Sequence, residues 1–238
     1  MNSNINDSPI SLVILDLDDT LCDTRTAYFN ARRHMNTMLT DNNIDPDAFW
    51  NQYDLLVSDK FLQAIAGKLP WKEYRKIRFL DPLRIFRDAP EELANELNSV
   101  FMDEMNRKIR LFDDVVPVLQ TLREDGIKCA LLTNGPSDGQ WMKIRSCGLD
   151  DHLKSIFISD ELGCAKPDCE IFNIVLREMS AEPEQTMMIG DSYENDVVGA
   201  ENSGIQGILI DRFGDHSDYP GRKITNLNEI IKCDNTKE

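Results

Sequence analysis

Four short apolar runs each stop at a residue able to handle phosphate or metal, and this pattern narrows the fold more than any other feature of the chain. Leu12–Leu15 runs into Asp16, residues 130–132 into Thr133-Asn134-Gly135, 187–189 into Gly190-Asp191, and 208–210 into Asp211. Continuous apolar runs this short, bounded by turn residues, are expected as parallel strands buried on both faces. Ligands bind such sheets beyond the carboxyl ends of the strands, so polar residues ending separate strands can meet in one crevice.

Between the first run and the second the pattern switches to helical spacing. Tyr28, Ala31, Met35 and Met38 recur at three- and four-residue steps, as do Trp71, Tyr74, Ile77 and Leu80, and then Leu93, Leu97, Phe101, Met105 and Ile109. Pro90 before Glu91-Glu92 marks a helix start, with acids in the first turn where the helix dipole favours them. From Asp113 helix and strand alternate: helices near 114–125, 137–147, 168–179 and 194–203, strands near 127–132, 155–159, 186–190 and 205–210. Alternation of this kind predicts an α/β protein with a doubly wound parallel sheet. The expected organisation is a core of residues 1–22 and 111–238, interrupted by an all-helical insertion over 23–110.

The 238 residues carry a formal charge of -16 and a pI near 4.6, a balance that repels nucleic-acid backbones and anionic membrane surfaces. The polar amino terminus lacks a basic region followed by an apolar one, and no apolar run reaches the ~20 residues that span a bilayer. Cys22, Cys129, Cys147, Cys164, Cys169 and Cys233 form no CxxC pair and are expected as reduced thiols. The sequence thus predicts a cytoplasmic protein that binds neither nucleic-acid polymers nor membranes. Its oligomeric state, monomer or homodimer, stays open.

Asp16 and Asp18 stand two apart, and Asp191 and Asp196 flank a turn that enters a helix. If the strand ends converge, as many as four carboxylates share one pocket, which their repulsion makes untenable without a cation. A hard divalent ion fits all-oxygen ligands, and Mg²⁺ is the usual one beside phosphate. Pro167 disfavours helix at Lys166, leaving that cation in an extended segment able to reach the pocket. Thr133-Asn134-Gly135 offers a hydroxyl, an amide and backbone N–H groups ahead of a helix, a combination suited to an anion.

Together these segments resemble the haloacid dehalogenase-like superfamily, in its phosphatase branch. The resemblance rests on Asp16-Leu17-Asp18-Asp19-Thr20, on Thr133 with Asn134, on Lys166, and on Gly190-Asp191-Ser192 with Asn195-Asp196, in that order. It implies a Rossmann-like core with a helical cap inserted after the first motif, as in phosphoglycolate phosphatases and nucleotidase-like enzymes. It further implies an Mg²⁺-dependent hydrolase of a small phosphorylated metabolite: phosphoglycolate, a sugar phosphate or a nucleoside monophosphate. In the family mechanism Asp16 is the nucleophile that forms an aspartyl-phosphate, and Asp18 is general acid and then general base. Thr133, Asn134 and Lys166 hold the transferring phosphoryl group, and Asp16, Asp18 (through its carbonyl), Asp191 and Asp196 hold the metal.

A phosphomutase uses the same residues and is the main alternative, followed by a binding protein on an inherited hydrolase fold. A dehalogenase on this fold needs neither metal nor proton donor, which would leave Asp18, Asp191 and Asp196 idle. A basic island remains outside this account: Lys68, Lys72, Arg75, Lys76, Arg78, Arg84 and Arg87 face only Glu73 and Asp81 between positions 68 and 87. It is expected either as a solvated helix face or as a surface that draws in anionic substrates.

Overall fold

The computed structural model describes residues 9–88 and 90–232, so Cys233 and the amino-terminal octapeptide lie outside the described residues. In chain order the main elements are β1 (Leu12–Leu15), α1 (Thr24–Asp41), α2 (Pro46–Ile65), α3 (Trp71–Leu83), α4 (Glu91–Arg107), α5 (Val115–Glu124) and β2 (Lys128–Thr133). There follow α6 (Ser137–Ser146), β3 (Ser155–Ile158), α7 (Ser159–Leu162), α8 (Cys169–Met179) and β4 (Thr186–Gly190). A π-helical turn, Tyr193–Val198, then runs into α9 (Gly199–Glu201), and β5 (Gln206–Ile210), β6 (Lys223–Ile224) and α10 (Asn228–Lys232) complete the chain. None of the helices is long and apolar enough to cross a membrane among the described residues.

The six strands form one sheet in the order β3-β2-β1-β4-β5-β6, with every pairing parallel. Chain order reverses at β1, which pairs with both β2 and β4, and this is where a doubly wound sheet opens a crevice. The four apolar runs are β1, β2, β4 and β5, and their inner residues are buried because helices cover both faces. Leu12, Ile14, Ala130, Leu132 and Met188 on one face pack against Ile171, Phe172, Val175 and Leu176 of α8.

Contacts divide the chain into two compact units. Among the described residues the first comprises 9–23, 110–134 and 148–232 and holds the sheet; the second comprises 24–88, 90–109 and 135–147. The second unit therefore includes α6, which the sequence pattern placed with the 111–238 core. Arg75 of α3 grips Asp138 of α6 with both guanidinium nitrogens, each at 2.5 Å, and α4 runs along α6. Within this unit Ala31, Met35 and Leu39 of α1 meet Phe49, Phe79, Leu83, Leu93 and Leu97 in one buried cluster. Trp50 joins it with its indole N–H donating to Asn36 Oδ1 at 2.7 Å, a packing role. Asp45 caps α2 by accepting from the Ala48 N–H at 2.8 Å, with Pro46 in the first turn.

Candidate active site

Asp16 is the first residue past β1, where its N–H still donates to the Ile189 carbonyl at 3.0 Å. The chain does not continue extended from there, so Asp16 and Asp18 are not related by strand alternation. Leu21 and Cys22 N–H groups both return to the Leu17 carbonyl, and Asp19 takes a left-handed φ of 54° within this tight loop. The Asp16 carboxylate stays buried and accepts from Lys166 Nζ at 2.6 Å. Lys166 also donates to the Leu132 carbonyl at 2.8 Å and stands 2.6 Å from Asp196 Oδ1, an ion contact whose angles fall outside hydrogen-bond geometry. Its backbone is held in turn by Asn134: Oδ1 accepts from the Lys166 N–H and Nδ2 donates to the Lys166 carbonyl, both at 2.9 Å. Asn134 thus sets the segment that carries the lysine, while Thr133 lies buried at the end of β2.

Asp191 and Asp196 follow β4. Ser192 caps the π-helical turn by accepting from the Asn195 N–H at 3.3 Å, and its own N–H donates to Asp196 Oδ2 at 3.0 Å. Asp196 lies so close above Gly190 that any side chain at that position would overlap its carboxylate. One oxygen from each of Asp16, Asp191 and Asp196 falls within 4.8 Å of the others. Asp18 is not part of this group, although its charge helps raise the Asp16 pKa.

Burial, opposed by Lys166 and reinforced by Asp196 and Asp18, pushes the Asp16 carboxyl up to about 7. Burial, with Asp16 and Asp196, pushes Asp191 up to about 8. Burial alone would lower Lys166, but the two carboxylates hold it above its ordinary value. Three acids against one cation leave an excess of negative charge. Asp196 Oδ1, fully enclosed, has the Lys166 ammonium against it at 2.6 Å and no further partner. An all-oxygen donor set with such an acceptor fits a hard divalent cation held by Asp16, Asp191 and Asp196.

Residues 10–204 match the haloacid dehalogenase-like hydrolase family. The chain belongs to that family. This hydrolase is 32% identical over 195 residues to a phosphoserine phosphatase of Thermus thermophilus, covering 78% of this chain and 72% of that protein. It is 29% identical over 217 residues to a glyceraldehyde 3-phosphate phosphatase of Methanopyrus kandleri, covering 90% and 88%. The magnesium-bound HAD-hydrolase YfnB of Bacillus subtilis superposes with a TM-score of 0.75 at 26% identity, covering 95% of this chain and 99% of that one.

Two residues of the hydrolase depart from what the sequence suggested. Asp211, at the end of β5, does not join the acid cluster: it accepts from the Asp215 and His216 N–H groups at 2.8 and 3.1 Å and from Lys223 at 3.3 Å. Its neighbour Arg212 escaped sequence reasoning. It donates to the Thr20 carbonyl from Nε and Nη2, at 3.2 and 2.8 Å, and pairs with Asp114 Oδ2 at 2.7 Å, so it braces the loop that leaves Asp16. A cation directly after a strand-ending acid was the signal available for it.

The raised carboxyls make a stability prediction. Asp16 and Asp191 titrate above the 3.8 of an unperturbed aspartate, so between about pH 4 and 8 the cation-free folded protein binds more protons than the unfolded chain. Their contribution is complete below the unfolded value and is lost as pH rises through about 7 and 8. In calorimetry with EDTA, Tm should therefore fall between roughly pH 5.5 and 8.5, whereas a saturating divalent cation should remove most of that slope. An identical slope with and without cation would contradict this placement of charge.

Proposed function

We propose that this hydrolase is an Mg²⁺-dependent phosphatase of small phosphate monoesters that works through an aspartyl-phosphate. The observation that carries the reading is Lys166 Nζ set between Asp16 and Asp196 with Asp191 alongside. Family membership and the phosphatases among its relatives support it. Lys166 opposes the burial that raises the Asp16 carboxyl and offsets the repulsion of an incoming phosphate. Asp16 Oδ attacks phosphorus as the ester oxygen departs with a proton from Asp18. Water, giving its proton back to Asp18, then attacks the aspartyl-phosphate, which releases inorganic phosphate and restores the Asp16 carboxylate. Asp16, Asp191 and Asp196, with the Asp18 carbonyl, would hold Mg²⁺, which would supply charge neutralisation for the phosphoryl oxygens. Thr133 and the backbone at Asn134-Gly135 cradle those oxygens, and Asn134 fixes Lys166. Residues 23–110 act as the cap that selects the leaving group.

Phosphate release from p-nitrophenyl phosphate and from a panel of metabolite monoesters tests the reading. Turnover should vanish in EDTA and return with Mg²⁺. Undiminished turnover in metal-free buffer, or none on any monoester with Mg²⁺, would overturn it.

A further inference from the structure

Residues 17–22 form a loop closed on itself. The Leu21 and Cys22 N–H groups donate to the Leu17 carbonyl at 3.0 and 2.9 Å, and the Asp19 N–H donates to the Cys22 carbonyl at 2.8 Å. Asp18 lies inside this closure, bridged to Cys22, whereas Asp16 precedes it and is fixed separately by Lys166 and the Ile189 carbonyl. A loop closed in this way keeps its internal shape, so its orientation depends on what grips it from outside. The Phe112 N–H holds the Leu21 carbonyl at 3.0 Å, and Arg212 donates to the Thr20 carbonyl from Nε and Nη2 at 3.2 and 2.8 Å. Thr20 is fully buried, and without water its carbonyl relies on that grip.

Arg212 is itself held before it reaches Thr20. Its Nη1 donates to Asp114 Oδ2 at 2.7 Å, an oxygen that also accepts from the Leu227 N–H at 2.6 Å, and its guanidinium stands 4.2 Å from the centroid of the Phe112 ring. The side chains of Arg212 and Asp114 are 5% and 4% exposed. A buried ion pair adds little stability over an apolar pair of the same volume, so what this one contributes is orientation. All of these residues belong to the unit that holds the sheet.

We propose that Arg212, backed by Asp114, is a positioning residue for proton transfer by Asp18: through the Thr20 carbonyl it aims the loop so that the Asp18 carboxyl meets the leaving oxygen of the ester. The proposal rests on the phosphatase reading, in which Asp18 protonates that oxygen as Asp16 attacks, and it ties the proton donor to the residue after Asp211 at the end of β5. Attack by Asp16, held independently, does not need Arg212. The demand for Arg212 therefore rises with the leaving group's demand for a proton.

The test measures single-turnover phosphoenzyme formation with saturating ester and Mg²⁺, comparing p-nitrophenyl phosphate with the alkyl monoester that wild type hydrolyses fastest. Arg212→Met should slow the alkyl ester by about 10–10²-fold, part of what a proton donor supplies, and p-nitrophenyl phosphate by less than about fivefold, with KM nearly unchanged. Arg212→Lys should regain part of the alkyl rate. The double variant Arg212→Met with Asp114→Asn removes both buried charges and should show the same split, which covers the case in which an unpaired Asp114 unfolds the single variant. Should neither fold, Arg212→Lys, which keeps the charge, decides by the same split. In an Asp18→Asn background the Arg212 substitution should cost the alkyl ester little more, because the group it aims is already gone. Equal losses on both esters, unchanged rates on both, or a full additional loss on top of Asp18→Asn would each overturn the proposal alone. An Asp18→Asn variant that slows both esters equally would remove the proton-donor role from the phosphatase reading, and this proposal with it.

Discussion

Asp16→Asn should lower kcat by about 10⁴–10⁶-fold and leave no phosphoenzyme, because an amide oxygen cannot carry the attack proposed for the carboxylate. The variant should still fold, since the amide oxygen can accept from Lys166 Nζ as the carboxylate does at 2.6 Å. Asp18→Asn gives a contrasting result. Its loss should be about 10²–10⁴-fold, the range of a missing proton donor or acceptor. With p-nitrophenyl phosphate, whose leaving group needs little protonation, the Asp18 variant should accumulate protein bearing one phosphoryl group, because water activation becomes the slow step. Intact-protein mass spectrometry after rapid quenching reads both. A phosphorylated Asp16→Asn protein, or equal burst amplitudes in the two variants, would reverse the assignment of roles.

Lys166→Met is expected to have the largest effect on stability. It removes the cation from between Asp16 and Asp196 and leaves buried carboxylates facing one another. Breaking a buried pair in this way costs about 3–5 kcal/mol, and for a chain of this length each kcal/mol moves Tm by about 2–4 °C. The loss should be greatest near pH 8.5, where the acids are ionised, and smaller near pH 5.5, where protons relieve their repulsion. Added divalent cation should restore part of Tm but not activity, because the phosphoryl group would still lack the lysine charge. A Tm within a degree or two of wild type at both pH values would contradict the central place of Lys166.

Where the sequence was informative, a strong local pattern coincided with a long-range requirement. β1, β2, β4 and β5 were legible because both their faces are buried, which forces continuous apolar runs, and the acids that follow β1 and β4 do meet. β6 was not legible: two residues at a sheet edge carry no period, and neither does the five-residue α10. The boundary of α6 was visible, but its partnership with α3 and α4 depends on a pair 63 residues apart in sequence. The same limit applied to the basic island. Arg75 and Arg78 lie one turn apart and read alike as letters, yet one meets an acid and the other an amide. Asp211 looked equivalent to Asp16 because each ends a strand, and only the local loop hydrogen bonds separate them.

Three glycines give the acid cluster a property that its ligand atoms alone would not. Gly190 admits the Asp196 carboxylate, Gly207 lets Val197 approach the β5 backbone, and Gly199 sits against Phe172 and Pro167 with no room for a methyl group. The turn that carries Asp196 is thereby pinned on three sides, and Lys166 pins the Asp16 side. Such a bracket cannot widen by moving one side chain. Magnesium binds oxygen at about 2.0–2.1 Å and calcium at about 2.3–2.6 Å, so if the bracket holds the proposed Mg²⁺, the larger ion would meet backbone strain rather than accommodation. Discrimination by ionic radius would then reside in residues that touch no ion, and exchanging Gly190 or Gly207 for alanine would alter which metal the protein accepts as well as how tightly it holds one.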